Sequence, residues 1–70
     1  DTSLPSYVIE VKHLKPDATD DAVQKALAEA KKQAARYAQG EAVKDIPNLK
    51  CLVLVYKGLR LAAAGLTDET

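Results

Sequence analysis

Seventy residues with a formal net charge of zero make one small domain, residues 1–70, and argue against strong non-specific nucleic-acid binding by the chain alone. No stretch approaches the roughly 20 apolar residues of a membrane-spanning helix. The lone Cys51 excludes an internal disulfide, and no zinc-ligand spacing is present. The N-terminus is polar and acidic, unlike a signal peptide, so a reducing, cytoplasmic setting without membrane contact is expected.

A domain of this size buries only about 60% of its unfolded surface. The core here is thin even for that size, because Phe, Trp and Met are absent and the only aromatics are Tyr7, Tyr37 and Tyr56. Charge is unevenly spread. Residues 22–60 carry eight basic side chains (Lys25, Lys31, Lys32, Arg36, Lys44, Lys50, Lys57 and Arg60) against Glu29, Glu41 and Asp45, a net of +5. A solvated helix surface is the simplest reading of this excess.

Residues 1–5 read as a loop, since Pro5 disfavours helix at Leu4. Residues 6–14 read as a strand in which Glu10 and Lys12 share a face with Val8 and Leu14, about 7 Å apart along the strand. Tyr7, Ile9, Val11 and His13 point the other way. Pro16 ends the strand. A helix is predicted from Thr19 or Asp20 to Gln39, with Thr19 as N-cap, Asp20 and Asp21 at the positive end of the dipole, and Gly40 as the terminating glycine. Val23, Ala26, Leu27, Ala30, Ala34, Tyr37 and Ala38 recur at helical spacing and predict the buried stripe. Residues 41–48 read as a connection turning at Ile46-Pro47-Asn48. Cys51–Tyr56 is an apolar run of strand length and branching. Lys57-Gly58 predicts a tight turn into a third, antiparallel strand at 59–63. Residues 1–5 and 65–70 are expected to be flexible.

The fold class predicted is α+β in the order β-α-β-β: a parallel pair joined by one right-handed crossover helix, then a hairpin strand. The Cys51–Tyr56 strand is apolar on both faces, whereas one helix covers one face. The other is expected to be covered by more of a larger domain or by a second copy, which makes a homodimer the expected assembly.

An acid and a base among apolar strand residues are costly unless they pair or do work. Glu-x-Lys on a strand is by itself common, and an ordinary surface pair is the simplest reading. Gln33 and Tyr37 are four apart and so share a helix side. The chain thus offers Val8-Ile9-Glu10-Val11-Lys12 on a strand and Gln33-Ala34-Ala35-Arg36-Tyr37 on the following helix.

That arrangement resembles the PD-(D/E)XK nuclease superfamily, in the branch with Gln-x-x-x-Tyr on the helix after the Glu-x-Lys strand. Ser6–Lys12 followed by Leu14-Lys15, with the later Cys51–Tyr56 strand and Lys57-Gly58 turn, is similar to the nuclease-like domain at the C-terminus of predicted bacterial AAA-ATPases. The likeness runs from about residue 6 to 63. It implies a β-α-β-β portion of a restriction-endonuclease-like fold, and in the parent protein metal-dependent phosphodiester hydrolysis or nucleic-acid binding beside an ATPase module. Glu10 would be a ligand of Mg²⁺ or Mn²⁺. Lys12 would orient water or stabilise phosphate charge, and Gln33 and Tyr37 would complete the catalytic site. The family also uses an aspartate on a preceding strand, for which the six residues before Tyr7 leave no room, so this chain alone is expected not to hydrolyse. The alternative is a non-catalytic interaction or dimerisation module. Gln33 and Tyr37 read equally as helix boundary residues. His13 reads as structural rather than metal-binding, and Cys51 as a small buried hydrophobe.

Overall fold

The computed structural model of the chain describes residues 4–68. Strand β1 (Ser6–Leu14) leads to helix α1 (Asp20–Ala38), then to β2 (Leu49–Lys57) and β3 (Arg60–Asp68). The strands lie in the order β1-β2-β3. β1 pairs parallel with β2, with Glu10 level with Val53 and Lys12 with Val55. β2 pairs antiparallel with β3. This is the small α+β domain expected, a mixed three-stranded sheet with one helix.

Local chemistry sets the helix ends. Thr19 has extended backbone and its side chain accepts a hydrogen bond from the Ala22 amide at 3.1 Å, occupying a donor the first turn leaves unpaired. At the other end the terminating residue is Gln39, whose amide reaches the Arg36 carbonyl. Gly40 follows it, where a terminating glycine belongs, without the left-handed conformation common at that position. Its amide donates to Tyr37 O, and its own carbonyl accepts from Val43 and Lys44, so it opens the next turn. The left-handed residue of this connection is Asn48, φ 55°, a residue type that tolerates that region.

The helix packs through small side chains. Val23, Ala26, Ala30, Ala34 and Ala38 are buried against Leu49, Cys51, Val53 and Val55 of β2. Cys51 is the small buried hydrophobe expected, its Sγ 3.7 Å from the Ala34 carbonyl. Fully burying a valine contributes about 1.5–3 kcal/mol, so Val53 and Val55 outweigh the alanines they meet. What the alanines supply is close approach. On β3, a Cβ at Gly65 would lie 2.8 Å from Lys31 Cε and 3.2 Å from Val53 Cγ2. The glycine leaves room for the Lys31 stem to run across the sheet.

The hairpin differs in detail from the expectation. β2 runs through Lys57, and the two loop residues are Gly58 and Leu59. Gly58 has φ 60° while Leu59 does not have positive φ, matching a turn that needs glycine at its first central position. The Gly58 amide also donates to the Leu14 carbonyl, and Pro16 packs so closely that a Cβ at 58 would lie 2.9 Å from it. β3 extends to Asp68 rather than ending near 63, with a bulge opposite Val55/Tyr56. The flexibility expected at 1–5 and 65–70 falls partly outside the described residues.

The sheet has one covered face and one open face. Rows Ile9–Leu52–Leu66, Val11–Leu54–Ala64 and His13–Tyr56–Leu61 form the open one. Ile9 is 57% and Leu66 58% exposed. His13 stacks on Tyr56 with ring centroids 5.4 Å apart, a structural contact. Among the described residues no helix is long and apolar enough to cross a membrane.

Close helix–sheet contact makes Ala34 intolerant of bulk. Ala34→Leu is expected to lower stability by about 1–3 kcal/mol, read from the urea midpoint. An unchanged midpoint would mean the helix stands off the sheet.

Candidate functional site

β1 is an edge strand, and its register decides what Glu10 and Lys12 meet. The side chains of Val8 and Leu14 pack against the two core clusters under α1. Glu10 and Lys12 alternate with the exposed Ile9 and Val11, so they share the helix-covered face as expected. Their neighbours across the ladder, Val53 and Val55, are essentially inaccessible. Glu10 and Lys12 are themselves half-buried. An ion pair joins Lys44 to Glu41 on the surface. Among the described residues, no hydrogen bond or ion pair holds the side chain of Glu10 or Lys12.

Beside Glu10 lies a cavity of about 330 Å³, walled by Ser6–Glu10, Tyr37, Val43, Ile46 and Leu49. It forms because residues 40–46 turn back after the helix and bring Val43 and Ile46 against the core. Tyr37, expected in the buried stripe, is instead 60% exposed and lines this wall. Tyr37 and Glu10 therefore meet at one site. Lys12 lies two residues further along the same strand face, outside the cavity wall.

Gln33 is not brought there. It is exposed and lines a shallow groove on the outer side of α1 with Glu29, Lys32 and Arg36. Rotation about the helix does not separate the two, since Gln33 lies about 100° round from buried Ala34 as Tyr37 does from buried Ala38. Position along the helix does: Tyr37 is in the last turn, where residues 40–46 turn back and the cavity forms. Within the 41–48 connection, Val43 and Ile46 pack against the core, and their apolar i, i+3 spacing is the sequence signal that this segment turns inward.

The donor set for a divalent cation is incomplete. Glu10 offers one carboxylate, and no group of three or more His, Cys, Asp or Glu side chains is placed to hold a metal among the described residues. Mg²⁺ takes six oxygen ligands, several of them waters, with one or two carboxylates and substrate phosphates completing the set. Here Glu10 is the single carboxylate on the cavity wall, with no metal-holding cluster around it among the described residues. These residues do not by themselves fit the ion, and no metal-dependent step follows from them. What the arrangement does offer is a fixed anion and cation on one strand face, next to an open cavity.

Comparison with known protein families, with characterised proteins and with solved structures finds no match to this chain.

Because its side chain points to solvent, Gln33→Ala is expected to change stability by less than about 0.5 kcal/mol. A drop beyond 1 kcal/mol in urea unfolding, a value on the order of a lost buried contact, would show that Gln33 packs inward instead.

Proposed function

We propose that this chain is part of a PD-(D/E)XK nuclease-like domain, the C-terminal portion of a restriction-endonuclease-like fold. Its support is the Glu10–Lys12 pair: half-buried, on one face of an edge strand, with no partner among the described residues. Such groups cost stability, and destabilising polar groups are commonly retained where they serve function. The β-α-β order and the shared cavity of Tyr37 and Glu10 agree with this reading. Lys12 suits phosphate as a compact point charge. Glu10 would be one oxygen donor of a Mg²⁺ or Mn²⁺ site whose remaining ligands come from outside residues 4–68. In the parent protein the domain would act on nucleic acid beside an ATPase module, in the bacterial cytoplasm. This chain alone would not hydrolyse a phosphodiester.

The open sheet face supports a second reading, a non-catalytic interaction or dimerisation module. Tyr7, Ile9, Val11, Leu61 and Leu66 are all exposed on or around that sheet. Contiguous apolar surface of this kind marks contact sites.

Mn²⁺ titration followed by paramagnetic broadening of amide resonances separates the two. On the nuclease-like reading, broadening centres on Ile9–Val11, exceeds that at Asp17 and Glu29, and disappears in Glu10→Ala. Affinity is expected to be weak, on the order of millimolar, as few donors converge. Equal broadening at every carboxylate would leave the second reading.

A further inference from the structure

The free edge of β1 has a fixed pattern. The Ser6 amide donates to the Asn48 carbonyl, and the Leu14 carbonyl accepts from Gly58. A strand residue directs its N–H and C=O to the same side, and neighbours alternate. Ser6, Val8, Glu10, Lys12 and Leu14 therefore bond towards β2. Tyr7, Ile9, Val11 and His13 direct their backbone groups outward, away from the sheet.

This edge is nine residues long, without proline or a bulge, and apolar at alternate positions. Edges of that kind pair with other strands unless blunted. The charges on it decide which strand fits. Consider two copies of β1 running antiparallel about a two-fold axis. Centred on Glu10, the register sets two carboxylates against each other. Centred on Lys12, it sets two ammonium groups together. Centred on Ile9, it places Glu10 opposite Val8 and Lys12 opposite Ser6, while a centre at His13 places Lys12 opposite Leu14.

Centred on Val11, residues 8–14 are all matched. Glu10 faces the partner's Lys12, and Lys12 faces the partner's Glu10. Val8 faces the partner's Leu14. Val11 meets its own copy, and Ile9 meets the partner's His13. The outward-directed residues become the hydrogen-bonded pairs. Glu10 and Lys12 fall at the non-hydrogen-bonded positions, where facing side chains come closest.

We propose that a second copy of this chain is the partner of the β1 edge, paired antiparallel about Val11 into a continuous six-stranded sheet. The two half-buried charges that find no partner among the described residues neutralise each other between copies. A two-fold interface is self-complementary by construction, and Glu-x-Lys across an odd centre is the simplest charge pattern that meets this condition. The pairing also joins the two open apolar faces into one surface. It rests on the interaction reading above and does not need a metal.

The test is charge reversal, with association of the full chain measured by sedimentation in the presence of a chelator. Glu10→Lys and Lys12→Glu alone are each expected to weaken self-association by about tenfold or more, because both cross-strand pairs become repulsive. Mixing the two variants should restore association as a heterodimer. The chain carrying Glu10→Lys then has two cations opposite the two anions of the other. The double variant should dimerise as the parent does. Val11→Pro, which removes only an outward-directed amide, should keep the fold by circular dichroism and lose the dimer.

Amide hydrogen exchange locates the contact. In the dimer the Ile9, Val11 and His13 amides are expected to gain protection as concentration rises. A dimer that leaves these amides unprotected but is broken by Leu54→Asp would overturn the edge pairing while leaving the interaction reading intact. A monomer at millimolar concentration would overturn both, as would two reversed variants that fail to associate when mixed.

Discussion

Close contact between an alanine stripe and a valine-rich strand is the constraint on which the rest of the structure depends. Ala26, Ala30, Ala34 and Ala38 bring the α1 backbone near enough for the Ala34 carbonyl to meet the Cys51 thiol. Larger residues would hold the helix further out and leave Val53 and Val55 partly wet. Alanine buries little area of its own, so the stabilisation comes mostly from the strand side. With so few large side chains, a single helix is all the covered face accommodates. The second face of the sheet then remains outside the core, and its apolar rows are presented to whatever else the chain meets.

The position of β1 follows from the same constraint. The crossover sets β1 parallel to β2 and the hairpin sets β3 on the far side, so β1 is left as an edge. An edge strand under a helix has a covered face and an open flank at once. Glu10 and Lys12 occupy that boundary. They lie level with the most buried valines of the sheet yet remain half accessible. A charge in such a position is neither fully solvated nor compensated, which is what gives both the nuclease-like reading and the edge pairing their physical basis. The first uses the charges to bind from outside the chain's own core; the second uses them to choose a register.

Much of the fold was legible because the relevant signals are local. Thr19 ahead of two aspartates announces a helix start, and the alanine period announces its buried side. The run Cys51–Tyr56 announces a central strand. The third strand runs past 63 although Ala64 and Gly65 have poor strand character. Pairing with β2 overrides that preference, and Gly65 is favoured by the space Lys31 needs. Gly40 stands just past the helix end, as a terminating glycine should, but its carbonyl serves the following turn.

For the site, alternation alone placed Glu10 and Lys12 on a common face, and four-residue spacing related Gln33 to Tyr37. Sequence also established the order of elements and the shortage of large core residues. Only the tertiary structure decided that β1 lies at an edge, that Tyr37 lines a cavity with Glu10 while Gln33 faces solvent, and that Val43 and Ile46 wall the same cavity. The physical reason is that periodicity defines which residues share a side of one element. How far that side is rotated towards its neighbour, and which strand is left without a partner, are settled only when helix and sheet pack together.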